Sequence, residues 1–195
     1  MFRWVWNVAW YRVLPLVAIS IFGVAAATYS FAPASMMRSY YPIRYETYIR
    51  RSSAAHNIDP YLVCAVISAE SNWNPTVTSQ KDARGLMQVM PDTAKEMVER
   101  GIVSSRSYRA SELDDPATNI EFGCAYLSYL ITCFHGSTDL AILAYNAGME
   151  QVRVWAKEDT VLVNAITYPE TQTYLLRVKT AQSRYVDLHS DQFAD

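Results

Sequence analysis

The sequence predicts a mainly α-helical protein, and three observations carry this prediction. Apolar residues recur three and four positions apart along several segments, which is the spacing of one buried helix face. Helix starts are marked at Asp59-Pro60, Pro91 and Asp115-Pro116, because aspartate caps a helix and proline fits its first turn. No segment of strand length alternates cleanly between apolar and polar residues, so we expect at most a small β-hairpin, within residues 76–89.

Residues 1–34 have the order of a secretory signal. Arg3 and Arg12 precede a strongly apolar run over residues 13–27, and small residues suited to cleavage follow. The alternative is an uncleaved membrane anchor within residues 4–32, whose apolar part approaches the roughly 20 residues that a spanning helix needs. Both alternatives place the rest of the chain outside the cytoplasm, in the periplasm or cell envelope, with or without attachment to the inner membrane.

The rest of the chain divides into a linker, residues 35–44, and one domain, residues 45–195. The linker shows no strong periodicity, whereas the domain is long enough to bury a hydrophobic core. The net charge is −2, and no basic face favours binding to nucleic acid.

The first two helices of the domain lead to an acidic residue. One helix is expected over residues 43–55, and the next begins at Pro60. On the second helix Val63, Ile67 and Glu70 fall on one stripe, at positions i, i+4 and i+7. Glu70 is therefore predicted to lie on an apolar face near a helix end.

Two further helices are expected in the middle of the chain. One runs from Pro91 to Gly101, and the polar residues 102–113 that follow are expected to form a mobile loop. The longest helix runs from Pro116 to near Gly136. Its expected buried stripe consists of Ile120, Cys124, Leu127, Ile131 and Phe134.

The last third of the chain predicts three helices. The first covers residues 140–147 and ends at Gly148, which suits a helix C-cap. A short helix over residues 149–156 follows, then a loop over residues 157–168. Pro169 begins the final helix.

The cysteines and histidines do not form a metal-ligand pattern, so we expect neither metal nor cofactor. Cys124 and Cys133 are separated by about 13 Å along one helix, too far for a disulfide. Only Cys64 could pair with one of them, and buried free thiols are the favoured interpretation. All three histidines are interpreted as surface or boundary residues: His56, His135 and His189.

Glu70 is the candidate catalytic residue. A carboxyl on an apolar helix face is disfavoured as an anion, so its pKa should rise, which makes a general acid available near neutral pH. Uncharged hydrogen-bonding groups follow at Asn74, Ser79 and Gln88, which suit a neutral, hydroxyl-rich ligand such as a sugar. The alternative is an ordinary solvent-exposed glutamate at a helix end.

The pattern around Glu70 resembles the catalytic motifs of the lytic transglycosylases, the bacterial relatives of goose-type lysozyme that cleave peptidoglycan. The resemblance covers roughly residues 45–188. Its motifs are Glu70-Ser71, Asn74-Pro75, Ser79, Ala83-Arg84-Gly85-Leu86-Met87-Gln88, Met90-Pro91, Ala144-Tyr145-Asn146-Ala147-Gly148 and Pro169-Glu170-Thr171-Gln172 with Tyr174. The resemblance implies a lysozyme-like helical domain with a substrate groove.

The same resemblance implies a reaction. The substrate would be the glycan strand of peptidoglycan, cut between N-acetylmuramic acid and N-acetylglucosamine with formation of a 1,6-anhydro ring, and Glu70 would act first as acid and then as base. Residues with implied roles in binding, shaping or orienting the substrate are Ser79, Gln88, Met90, Tyr145, Asn146 and Glu170. A helix dipole is a sufficient structural reason for Glu170, which begins a helix.

Two other functions stay open at this point. One is a hydrolytic muramidase, in which water replaces the C6 hydroxyl of the sugar as nucleophile. The other is a catalytically silent glycan-binding or assembly module. A small single domain also suits local clearance of the cell wall for secretion or envelope assembly machinery.

Asp82 departs from the family pattern, which usually has glycine at this position. A glycine there suggests a positive φ, which aspartate tolerates better than most residues. The Asp82 carboxylate would also add negative charge near the groove, where it could raise the pKa of Glu70 further or alter substrate preference.

Overall fold

The computed structural model describes residues 10–30, 34–158 and 169–193, and it divides the chain into a unit over Met1–Tyr40 and a unit over Tyr41–Asp195. The first unit contains α1, Trp10–Ser30, and α2, Ala34–Tyr40. In the described part of the chain, we find no helix with both the length and the apolar character needed to span a membrane. Residues 1–9 and 31–33 of the predicted targeting segment lie outside the described residues.

The first part of the predicted linker, residues 35–44, is helical. Residues up to Tyr40 belong to α2, and only residues 42–44 have no regular structure. Alanine, methionine and arginine in this stretch are good helix formers, and the seven helical residues include neither glycine nor proline. Seven residues are too few for a buried stripe to reveal such a helix in the sequence.

The second unit is mainly helical in its described part, as predicted. Its helices are α3, Glu46–His56; α4, Pro60–Ser71; α5, Pro91–Glu99; α6, Pro116–Cys133; α7, Thr138–Ala147; α8, Met149–Glu158; and α9, Pro169–His189. The only β pairing among the described residues is a pair of isolated bridges that Arg84 makes with Thr78 and Val89, inside the predicted hairpin. Of the predicted loop at residues 157–168, residues 159–168 lie outside the described residues.

The helix starts follow the predicted capping chemistry. The Asp59 carboxylate accepts a hydrogen bond from the backbone N–H of Tyr61 at 3.0 Å, and the Asp115 carboxylate accepts one from that of Thr118 at 2.9 Å. The first helix of the unit begins later than predicted, because Tyr45 has φ 56° and cannot continue a right-handed helix toward residue 43.

The core of this unit lies between α9 and α4, with α3 packed on α6 and α7 in contact with α6, α8 and α9. Trp73, just after α4, donates its indole N–H to the hydroxyl of Tyr185 on α9 at 2.8 Å. Both side chains are almost fully buried. The end of α4, which carries Glu70, is therefore held against α9.

The prediction of surface or boundary positions is wrong for His189, whereas His56 is half-buried and so lies at the boundary, as predicted. The His56 ring lies 2.9 Å from a carboxylate oxygen of Glu121, and the other oxygen accepts a hydrogen bond from Ser52 at 2.5 Å. His189 is buried, with its ring nitrogen 2.8 Å from the carbonyl oxygen of Tyr41. These polar partners are distant in sequence, so periodicity gave no sign of them; His135 is exposed as predicted.

The cysteines are free thiols, as favoured by the sequence. Cys64 and Cys124 are buried and Cys133 is half-buried. Burial raises the pKa of Cys124, so this thiol is inert at neutral pH.

Candidate active site

Glu70 lies in the last turn of α4 and is half-buried. Burial raises the pKa of its carboxyl, while a hydrogen bond from Tyr174 and the charge of Arg177 lower it in part; the net shift is upward. This confirms the predicted direction of the pKa shift. A carboxyl with this property can keep its proton at a pH at which an exposed glutamate has lost it.

Tyr174 is the group in direct contact with this acid. Its hydroxyl donates a hydrogen bond to Oε1 of Glu70 at 2.6 Å, from a ring that is almost fully buried between α9 and α4. Burial raises the pKa of Tyr174 well above its ordinary value, so the phenol stays a donor at neutral pH. The sequence motif contained Tyr174 but gave it no role. The signal that could have found it is its position three residues after Thr171 and four before Val178, on the buried stripe of α9.

Tyr145 reaches the same region from α7. Its hydroxyl donates to the carbonyl oxygen of Met87 at 2.8 Å, and its ring packs against Tyr126 with centroids 5.4 Å apart. Burial, followed by the negative charge of Glu70, raises the pKa of Tyr145. Tyr145 is therefore near enough to Glu70 to be affected by its charge, and it is hydrogen-bonded to the segment that contains Met87.

A buried asparagine of α6 holds that segment in place. Oδ1 of Asn119 accepts from the backbone N–H of Met87 at 2.8 Å, and Nδ2 donates to the carbonyl oxygens of Arg84 at 2.7 Å and Leu113 at 2.8 Å. Both N–H groups of the amide and one of the two lone pairs of its oxygen are thereby used. The Asn119 side chain has no exposed surface. Sequence analysis missed Asn119, because its partners lie in two other segments.

Glycines allow the close approach that this arrangement requires. Gly85 has φ +72°, and a Cβ there would lie 2.4 Å from Nδ2 of Asn119. One turn beyond Asn119, a Cβ on Gly123 would lie 2.2 Å from the sulfur of Met87. The segment around Met87 is therefore fixed to α6 by hydrogen bonds between its backbone and the Asn119 side chain, and by packing of the Met87 side chain against Gly123.

Ser79 and Gln88, two predicted substrate-binding residues, shape the turn between α4 and α5. The hydroxyl oxygen of Ser79 accepts from the backbone N–H groups of Lys81 at 3.2 Å and Ala83 at 3.1 Å. The amide nitrogen of Gln88 donates to the carbonyl oxygens of Val77 and Gly85, both at 2.9 Å. These bonds do not use the hydroxyl proton of Ser79 or the amide oxygen of Gln88.

The other predicted site residues lie on three helices. Met90 is the N-cap of α5 and is exposed. Asn146, in the last turn of α7, accepts a hydrogen bond from the hydroxyl of Thr171 on α9 at 3.2 Å. Glu170 is exposed in the first turn of α9, and the structure gives it no contact with Glu70. In the described residues we also find no group of three or more histidine, cysteine or acidic side chains that could hold a metal ion.

Asp82 has the positive φ expected at this position, with a value of 62°. Its carboxylate accepts a hydrogen bond from Nε of Arg84 at 3.0 Å and forms an ion pair with Nη2 of the same residue at 2.9 Å. Asp82 is not among the groups that shift the pKa of Glu70. The expected effect of its charge on the acid is therefore not seen.

Comparison with known proteins identifies relatives of this arrangement. The sequence matches the model of the transglycosylase SLT domain over residues 47–163. It is 34% identical over 151 residues to the soluble lytic murein transglycosylase of Escherichia coli K12, a match covering 74% of this chain and 23% of that protein. This chain thus spans about a quarter of the length of the curated relatives it matches.

Solved structures agree with the sequence matches. The 70 kDa soluble lytic transglycosylase of Escherichia coli superposes with a TM-score of 0.74 at 31% identity, over 80% of this chain and 26% of that one. An inactive mutant of the lytic transglycosylase Slt from Pseudomonas aeruginosa, in which a glutamate is replaced by glutamine, gives 0.69 at 29% identity over the same shares. The predicted lysozyme-like helical fold is confirmed. The chain belongs to the transglycosylase SLT domain family.

Proposed function

We propose that this chain is a lytic transglycosylase that cleaves the bond between N-acetylmuramic acid and N-acetylglucosamine in peptidoglycan. The family and the names of the relatives support the reaction class. The observation that carries the proposal is the pairing of a half-buried Glu70, whose pKa is raised, with the hydroxyl of Tyr174 at 2.6 Å. This pairing provides one acid that can first give up and then take back a proton.

The proposed reaction needs no water. Protonated Glu70 donates its proton to the glycosidic oxygen as the bond from that oxygen to C1 breaks. The C6 hydroxyl of the same sugar attacks C1, and the Glu70 carboxylate accepts the hydroxyl proton, which restores the acid and leaves a 1,6-anhydro ring. Because the nucleophile is already attached to the substrate, correct orientation can contribute about 7–11 kcal/mol toward the barrier.

The Tyr174 hydrogen bond determines which oxygen of Glu70 reacts. Since the phenol donates to Oε1, that oxygen acts as an acceptor, and the transferable proton resides on Oε2. When Glu70 is ionised, the same hydrogen bond stabilises the carboxylate. Tyr174 thus orients the acid in both of its protonation states.

The main alternative is a hydrolytic muramidase, in which water takes the place of the C6 hydroxyl. Most glycoside hydrolases use two carboxylates, one on each side of the bond. In the described part of the chain, the groups that shift the pKa of Glu70 are a tyrosine and an arginine, with no carboxylate among them. This favours the intramolecular reaction, and it also disfavours a silent binding module because an acid with a raised pKa is retained.

Six residues are proposed to bind or position the glycan. Ser79 would donate its hydroxyl proton and Gln88 would accept at its amide oxygen, since neither group is used in the turn. Met90 and Tyr145 would shape the groove. Asn146, held by Thr171, would orient Tyr145 or the substrate, and Glu170 would contribute from the first turn of α9.

The assignment of the acid is tested by two glutamine variants. Glu70→Gln should abolish cleavage of purified peptidoglycan, because the amide cannot donate an acidic proton, and general acid–base steps are typically worth 10²–10⁴-fold each. Glu170→Gln is the matched control and should lose much less activity. The inactive relative with a glutamate-to-glutamine change supports this expectation. If Glu70→Gln keeps more than about a tenth of the activity while Glu170→Gln loses it all, the acid lies on α9 instead.

We also propose that residues 1–34 direct the enzyme to the cell envelope, as a cleaved signal or as an anchor. Support comes from the arginines before the apolar run, and from large apolar side chains of α1 that are exposed, such as Leu16, Ile19 and Phe22. A role in local clearance of the cell wall for secretion or envelope assembly machinery would depend on this export. A fusion of residues 1–40 to a reporter should leave the cytoplasm, and its retention there would contradict the proposal.

A further inference from the structure

An arginine of α9 lies beside the tyrosine that contacts the proposed acid. Cζ of Arg177 is 5.5 Å from the ring centroid of Tyr174, three residues earlier on the same helix. This spacing places the two side chains on the same side of the helix. A guanidinium at this distance from a ring face is attracted to its π electrons, so the ring holds the charge in place.

Few charged groups act on Glu70. Among the described residues, the titratable groups that interact with Glu70 are Tyr174 and Arg177 on α9 and Tyr145 on α7. Burial raises the pKa of both tyrosines well above the ordinary value, so both are neutral at the pH of catalysis. Among the described residues, Arg177 is therefore the one full charge that shifts the pKa of Glu70.

We propose that Arg177 is a positioning residue of this site, whose guanidinium, held over the ring of Tyr174, stabilises the carboxylate that Glu70 becomes after giving up its proton. The proposal rests on the function proposed above. A guanidinium stays charged at any pH the enzyme meets, so its effect does not depend on its own titration.

The reaction requires a Glu70 that can both hold its proton and give it up. Burial alone would make Glu70 a weak acid that retains its proton, and the positive charge of Arg177 opposes this effect by favouring the anion. If the charge is removed, Glu70 should hold its proton to higher pH. The step in which the proton passes to the glycosidic oxygen should then have a smaller driving force.

Three variants of the full chain test this inference. Arg177→Gln removes the charge, and Arg177→Lys keeps the charge but loses the guanidinium over the ring. Arg184→Gln removes an exposed charge about 10 Å further along α9. Both arginines are exposed, so the three variants should fold like the wild type, and thermal melting would check this. The pKa of Glu70 is read from the carbon-13 side-chain signals of labelled glutamate, and its signal is the one missing from Glu70→Gln.

The pKa of Glu70 should rise in Arg177→Gln, stay at the wild-type value in Arg184→Gln, and lie closer to wild type in Arg177→Lys than in Arg177→Gln. The alkaline limb of the pH profile of kcat/KM should move to higher pH in Arg177→Gln. An unchanged Glu70 pKa in Arg177→Gln, or an equal rise in Arg184→Gln, would overturn the role of Arg177. A wild-type enzyme that releases no anhydro product would instead overturn the proposed function. The titration of Glu70 is a separate measurement, because it needs no enzymatic activity.

Discussion

Tyr174→Phe removes one oxygen atom from the site and leaves the buried ring in place. The hydroxyl donates to Oε1 of Glu70 at 2.6 Å, so the variant loses a hydrogen bond that is strongest when the carboxyl is ionised. Hydrogen bonds to charged groups contribute about 1.5–3 kcal/mol. If most of this acts on the ionised state that follows proton donation, kcat should fall by roughly 10- to 150-fold.

The same substitution should change the pH dependence in a defined direction. Burial raises the pKa of Glu70, and the Tyr174 hydrogen bond opposes that rise. Without the hydroxyl the pKa should rise further, so Glu70 stays protonated to higher pH. The alkaline limb of kcat/KM should therefore move upward, while the activity at the low-pH plateau falls.

The assay is the rate of release of soluble fragments from purified peptidoglycan between about pH 4 and pH 9. The matched control is Tyr185→Phe on the same helix, which loses a buried hydrogen bond from Trp73 but lies three turns from Tyr174. It should cost about 1–3 kcal/mol of stability and leave the pH profile unchanged. A Tyr174→Phe enzyme with wild-type kcat and an unshifted limb would refute the reasoning.

Two further predictions concern stability and pH. Glu70→Gln should melt at a higher temperature than wild type at pH 7. Folding raises the pKa of this carboxyl, so its ionisation lowers the stability of the wild type above the ordinary glutamate pKa of about 4.3. The gain in melting temperature should therefore vanish in melts below that pH. Glu121→Gln should melt lower near neutral pH: burial alone would raise the pKa of Glu121, but hydrogen bonds from His56 and Ser52 outweigh it and lower the pKa. That deficit should disappear as the pH falls through the lowered pKa, and a deficit that persists there would contradict this account of the pair.

What could be predicted from the sequence depended on interactions between near neighbours. The caps at Asp59 and Asp115 bond to N–H groups two and three residues away, so their sequence signature is complete. The position of Glu70 on an apolar helix face was equally local, and the raised pKa followed from it. The positive φ at Asp82 was expected on different grounds, from the glycine that the family pattern usually has at this position.

The parts that could not be predicted depend on partners far away in the chain. Tyr174 and Glu70 are 104 residues apart, Asn119 and Met87 are 32 apart, and His56 and Glu121 are 65 apart. Periodicity identifies the buried face of each helix but not the helix it packs against. A polar residue on such a face therefore gives no sign of its partner until the helices are assembled.

The mass of the released muropeptides tests the central claim most directly. Attack by the C6 hydroxyl yields fragments that end in 1,6-anhydro-N-acetylmuramic acid, whereas attack by water yields fragments heavier by one water molecule. We predict anhydro fragments from the wild-type enzyme and none from Glu70→Gln at equal protein concentration. Hydrated fragments from the wild type, or anhydro fragments at an undiminished rate from Glu70→Gln, would contradict the account.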